Sequence, residues 1–212
     1  MHNVNQTVYI VDDDPSVRKS LGRLLKSTGY EVELFESANE FLHTDPICDG
    51  PSCLVLDMKM PELSGFELQE ELNRKGYSLP IVFVTGHGDI PMGVKAMKYG
   101  AVDFLTKPFD ETDLLNAVQE ALCKDSKNRK TMDERSTILQ KIESLTPREF
   151  EILTYVITGM LNKQIAYDLK ISEKTVKVHR GRVMEKMGVD SVAQLVRLAD
   201  KAGIQPAEVL EE

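Results

Sequence analysis

Short apolar runs alternate with amphipathic stretches through the first half of the chain. Val8–Val11, Cys53–Leu56 and Ile81–Val84 are continuous and rich in β-branched residues. Runs of that length and type predict strands buried on both faces. Glu31–Phe35 alternates polar and apolar like a strand, and Val102–Leu105 reads as a fifth. Between them the period changes. Val17, Leu21, Leu24 and Leu25 fall on one helical face, opened by Asp14 and Pro15 and closed by Gly29. Ser37–Ala38–Asn39–Glu40 is a capping-box pattern. Phe66–Asn73 and Pro91–Tyr99 read as helices, and Asp110–Leu122 as one whose inner face carries Leu114, Leu115, Val118 and Leu122. Strands alternating with helices predict a doubly wound five-stranded parallel sheet, an α/β domain.

The pattern changes after Cys123. Lys124–Ser136 has no apolar periodicity, and Ile138, Leu139, Ile142 and Leu145 then recur at helical spacing. The stretch reads as a partly helical connector, with a flexible hinge as the alternative. Thr146–Pro147–Arg148–Glu149 is a strong helix start, and Phe150, Leu153 and Ile157 share a face that Gly159 ends. A short helix Asn162–Leu169 presents Ile165, Ala166 and Leu169 inward. A three-residue turn follows, and Ser172 caps a helix reaching about Met187. Two helices joined by a tight turn make a helix-turn-helix pattern in an all-α domain. On the last helix Val176, Val183 and Met187 cluster on one face. Lys174, Lys177, Val178, Gly181 and Arg182 point the other way. That stripe suits phosphates and base edges, Val178 a thymine methyl. A solvated charged face with one stray valine is the alternative.

Composition sharpens the division. Of the net charge of −8, residues 1–122 carry 20 acids and 10 bases, whereas residues 145–212 carry 10 of each. The asymmetry points to domains with different partners. No run is long enough to cross a bilayer, and Met1–Thr7 has no signal-peptide core. Cys48, Cys53 and Cys123 form no CxxC pair, which points to a reducing cytoplasm and neither a zinc site nor a disulfide framework.

Candidate chemistry lies at the strand ends. Asp12 and Asp13 follow the first strand and Asp57 ends the third, so right-handed crossovers bring three acids to one sheet edge. Three carboxylates in a crevice call for a cation, and oxygen-only ligands suit Mg²⁺. Thr85 and Lys107 stand at the fourth and fifth strand ends, where a hydroxyl and an ammonium can serve phosphoryl oxygens. The set supports attack by Asp57 on a phosphoryl donor to give an aspartyl-phosphate. Taken singly, each residue also reads as a turn, cap or surface group.

These motifs carry a resemblance. Val11–Asp12–Asp13, Leu56–Asp57–Met58–Lys59–Met60–Pro61, Val84–Thr85–Gly86 and Thr106–Lys107–Pro108–Phe109 resemble a response-regulator receiver domain. The resemblance implies a flavodoxin-like fold and phosphorylation of Asp57 by a sensor histidine kinase. It implies Mg²⁺ held by Asp13, Asp57 and the Lys59 backbone carbonyl, with Asp12 acting through water. Thr85 and Phe104 would be the coupled switch pair, Lys107–Pro108 a cis bond, and Lys59 and His87 positions that tune phosphate lifetime. Leu145–Glu149, Asn162–Ala166 and Ser172–His179 resemble the LuxR-type helix-turn-helix domain of four helices. That match implies DNA contacts from Lys174, Lys177, Val178, Arg180 and Arg182, with Lys177 and Val178 on bases. It also makes Ser191–Lys201 a pairing helix. Gly181 departs from relatives that carry lysine there.

The domain order resembles FixJ/NarL-type regulators. It implies a receiver at 1–123, a linker at 124–144 and a DNA-binding domain at 145–212. Phosphorylation would re-form the surface around Met92–Tyr99 and Asp113–Leu122 and control dimerisation. A homodimer would bind inverted-repeat double-stranded DNA and, with RNA polymerase as partner, activate transcription in the cytoplasm, away from membranes. The chain reads as no enzyme. A haloacid-dehalogenase-like phosphatase would need an acid two residues after Asp57, where Lys59 stands.

Overall fold

The computed structural model describes residues 6–44, 50–86 and 90–208. The chain divides into two compact units, Met1–Arg129 and Lys130–Glu212. The first contains β1 (Thr7–Val11), α1 (Pro15–Ser27), β2 (Glu31–Phe35), α2 (Ala38–His43), β3 (Ser52–Asp57), α3 (Gly65–Arg74), β4 (Ile81–Thr85), α4 (Ile90–Lys98) and β5 (Asp103–Thr106). All strand pairs are parallel, in the order β2-β1-β3-β4-β5.

The apolar runs are unbroken because both sheet faces are covered. Tyr9, Val11, Leu54, Leu56 and Phe83 enter one core with Phe41 and Leu68. Val8, Ile10, Val55, Val82 and Val84 enter the other with Leu25, Leu114 and Val118. Local contacts fix several helix ends. Asp14 accepts from the Ser16 and Val17 amides at the start of α1. Gly29, at φ 93°, lets the amides of Gly29 and Tyr30 reach the Lys26 and Leu25 carbonyls. Ser64 and Glu67 form a reciprocal capping box on α3.

The largest departure from the sequence pattern is α5 (Glu111–Glu143), a continuous helix through the stretch read as a partly helical connector. Residues 130–137 are all exposed, so no apolar stripe marks them. With neither Gly nor Pro in that stretch, no residue breaks the helix there. Within the first unit Asp125 of α5 is buried, accepting from the Ser52 amide at 2.9 Å and pairing with Arg129 at 2.5 Å.

The second unit contains α6 (Pro147–Val156), α7 (Asn162–Asp168), α8 (Glu173–Met187) and α9 (Val192–Ala202). Ile138 and Leu145 join Ile152, Leu153, Ile165, Val176, Val183 and Leu195 in its core. Phe150, expected inward, is exposed, and Ile152 and Val156 take the inner face. Glu149 is buried instead, 2% exposed. Its carboxylate accepts from the Thr146 amide at 2.9 Å and from Lys186 of α8 at 2.6 Å. The Lys186 ammonium and the Thr146 amide lower its pKa to about 2.

A depressed carboxyl pKa adds stability that is present above the unfolded value and lost as pH falls towards the folded one. The unit therefore loses stability between about pH 4.5 and pH 2. In Glu149→Gln protein the contribution is absent, so stability across that window is flatter. Urea unfolding followed by the NMR signals of Val183 at several pH values checks it.

Candidate functional site

The sheet register assembles the first site. Val11 pairs with Leu56, so Asp12 and Asp57 follow side by side on adjacent strands. That junction is where the strand order reverses direction, the place at which open parallel sheets form a crevice. Asp12 is 2% exposed and Asp57 7% exposed. Lys107, just past β5, reaches across and donates to Asp12 at 2.9 Å and to Asp57 at 3.3 Å. Its own amide donates to the Thr85 carbonyl at 2.8 Å, which fixes where it leaves the sheet. The Lys107–Pro108 bond is cis, as the resemblance implied.

Further contacts orient the carboxylates. The Lys59 amide donates to Asp57 Oδ2 at 2.8 Å, and the Asp14 amide to Asp12 Oδ1 at 2.9 Å. The Arg18 guanidinium donates to the Asp12 carbonyl at 2.5 Å. Burial raises the Asp57 pKa, as does Asp12, against the opposing pull of Lys107 and the Lys59 amide. Burial works against the Lys107 charge, but Asp12 and Asp57 outweigh it and hold its pKa above the ordinary lysine value.

Asp13 is exposed beside the pair. Among the described residues no three His, Cys, Asp or Glu side chains gather as a metal cluster. Lys107 already spans the two buried acids. The donor set still fits Mg²⁺, which keeps several waters and needs only one or two carboxylates. Thr85 is buried at the end of β4. Phe104 is partly buried, with its ring against Gly93 of α4, where an added Cβ would lie 3.2 Å from it. His87 lies outside the described residues. The Lys59 side chain is exposed, and its position offers no acid to a leaving group.

Sequence reading missed two supports. A Cβ at Gly65 would stand 2.2 Å from the Asp57 carbonyl oxygen, so only glycine lets α3 start against the β3 end. A glycine directly after a capping serine was the available signal. Lys95 of α4 lies 3.9 Å from the centre of the Phe66 ring, which Tyr99 meets edge-on at 4.9 Å. With the Gln69 amide donating to the Tyr99 carbonyl at 3.1 Å, these contacts tie α4 to α3.

The second site is α8. Ser172 caps it by accepting from the Thr175 amide, and Gly188 in a left-handed conformation ends it. Lys174, Lys177, Val178, Gly181 and Arg182 are exposed, Val178 at 48%. Arg180 is partly buried and donates to Asn162 Oδ1 of α7 at 2.9 Å. That guanidinium cross-links the two helices, a role its place among the bases did not reveal. His179 Nδ1 is buried with no hydrogen-bond partner among the described residues.

Known families match both units. Residues 8–119 match the response regulator receiver domain, and residues 143–199 match the bacterial regulatory proteins of the luxR family. Nodulation protein W of Bradyrhizobium diazoefficiens is 48% identical, the match spanning 93% of this chain and 86% of that protein. The transcriptional regulatory protein FixJ of Rhizobium meliloti is 43% identical over 95% of this chain and 98% of its own. The solved structure of response regulator StyR aligns with a TM-score of 0.82 at 49% identity, covering 93% of this chain and 99% of that one.

Proposed function

We propose, from the premise that this chain belongs to the two-component response regulators joining a receiver domain to a luxR-family DNA-binding domain, that phosphorylation of Asp57 controls its binding to promoter DNA. The observation that carries the reading is Lys107 spanning two buried carboxylates at the crevice. One oxygen of Asp57 attacks the phosphorus of a phosphohistidine on the sensor kinase. The O–P bond forms, the P–N bond breaks, and the electron pair stays on the ring, which leaves as neutral imidazole because its other nitrogen carries a proton. Asp13, Asp57 and the Lys59 carbonyl would hold Mg²⁺, with Asp12 acting through water, and the bound ion would neutralise charge on the phosphoryl oxygens. Lys107 then shifts its pairing from Asp57 to the new phosphoryl group, and the Thr85 hydroxyl donates to it.

A groove lined by Val17, Leu21, Leu24, Phe109, Lys19 and Arg23 opens on Lys107, and its mixed apolar and basic wall suits the kinase. Movement of Thr85 and Phe104 releases Phe104 from Gly93 and re-forms the α4 surface. Val94, Met97 and Tyr99 are exposed there, an apolar patch suited to a second receiver. The resulting two-fold dimer reads an inverted repeat and, with RNA polymerase, activates transcription. The phosphoacceptor function belongs to residues 1–123, the connection to 124–144 and DNA reading to 145–212. No helix among the described residues is long and apolar enough to cross a membrane.

Lys174, Lys177, Val178 and Arg182 face the duplex, and Arg180 positions α8 through Asn162. Duplexes enriched from a randomised pool by the phosphorylated protein test this. Lys177→Ala binds them about tenfold or more weakly, and log affinity falls less steeply with log salt. Unchanged affinity and slope would remove α8 from the interface.

A further inference from the structure

Resting on α8 as the DNA-reading helix, we infer that Gly181 is where its backbone approaches the duplex most closely, and that the missing side chain selects which sequences are bound. At about 100° per residue, the direction opposite buried Val183 runs through Lys174, Val178, Gly181 and Glu185. Gly181 therefore lies near the midline of the exposed face.

Nothing within the chain requires glycine there. Gly188, which ends the helix, has φ 67°, whereas Gly181 lies within α8 and is not among the positive-φ glycines. A Cβ at Gly181 would meet no heavy atom within 4 Å, so no neighbour excludes a side chain. Glycine inside a helix is less favourable than alanine. Its steric benefit therefore comes from outside the folded chain. Lys174, Lys177 and Arg182 surround it, which makes the partner anionic, and exposed Val178 beside it supplies apolar contact. A duplex offers both, as phosphates and thymine methyls.

Cα atoms lie about 2.3 Å from a helix axis, while side chains extend its radius to roughly 5–6 Å. A bare position at the midline therefore brings the backbone nearer the groove floor by the depth of a side chain. Glu185, one turn on, presents a carboxylate on the same midline, which repels phosphates and ends the close approach there.

The test uses the full-length phosphorylated chain with Gly181→Ala and Gly181→Leu, probed with duplexes the wild type selects from a randomised pool. Both variants should unfold at higher temperature than wild type, since each restores helix propensity. Both should bind the selected duplexes more weakly, by about tenfold for Ala and further for Leu. An unselected duplex of equal length should be affected far less. Stabilised variants that hold the selected duplexes as tightly as wild type would overturn the inference and leave the DNA-binding reading intact. Equal losses on selected and unselected duplexes would also overturn it. A wild type that selects no sequence would overturn that reading and this inference together.

Discussion

Asp57→Asn protein, incubated with acetyl phosphate and Mg²⁺, gains no phosphoryl mass, while wild type gains one group per chain. The loss is complete because the amide is no nucleophile and no other carboxylate shares the place of Asp57. Asp12 lies deeper, 2% exposed against 7%, and Lys107 holds it more closely, at 2.9 Å against 3.3 Å for Asp57. Misfolding does not explain the loss. Burial raises the Asp57 pKa, so its ionised form costs stability at neutral pH, and the cost lifts as pH falls through the raised folded value. The neutral amide avoids it. The variant should therefore melt no lower than wild type at neutral pH. Intact-mass spectrometry and a melting curve on the same sample check both statements.

Lys107→Met should produce the second large effect. Among the described residues the Lys107 ammonium is the one cation paired with both Asp12 and Asp57, whose side chains are 3% and 8% exposed. Removing it leaves two carboxylates facing each other away from water. Breaking a buried charge pair in this way costs about 3 kcal/mol. Like-charge repulsion then pushes the Asp57 pKa higher still, so the deficit shrinks as pH falls. The double variant Lys107→Met with Asp57→Asn removes one of the two charges and should recover much of the loss. Urea unfolding of the four proteins of this cycle measures the coupling. Purely additive effects would mean that Lys107 does not neutralise the pair. Single Lys107→Met protein should also take up phosphate without tightening its grip on DNA, because no cation draws the phosphoryl group towards β5.

Much of this was legible in the sequence. Strand ends are marked by where apolar runs stop, so the sequence alone puts Asp12, Asp57, Thr85 and Lys107 at one sheet edge. Caps are equally plain, since Asp14, Ser37, Thr146 and Ser172 act through neighbours two or three residues away. Contacts between distant segments were not. Asp125 reaches the Ser52 amide across 73 residues, and Glu149 reaches Lys186 across 37, with no period to announce either. Phe150 was misplaced because one apolar residue three positions before Leu153 fits the inner face as well as Ile152 does, and only packing decides. The middle of α5 was illegible for the opposite reason. A helix with no buried side has no stripe, and propensity alone leaves no pattern. Gly65 and Arg180 have roles defined by what approaches them, the Asp57 carbonyl and Asn162, and residue type alone does not name an approaching atom.

The central claim is that chemistry at Asp57 governs the grip of α8 on DNA. The direct measurement is the affinity of the full chain for its selected duplex with and without beryllofluoride, both in Mg²⁺, with Asp57→Asn alongside. Coupling between sites in proteins is commonly worth about 1–3 kcal/mol, so beryllofluoride should tighten wild-type binding by roughly 5- to 150-fold and leave Asp57→Asn unmoved. Equal affinity of wild type in the two conditions would contradict the account.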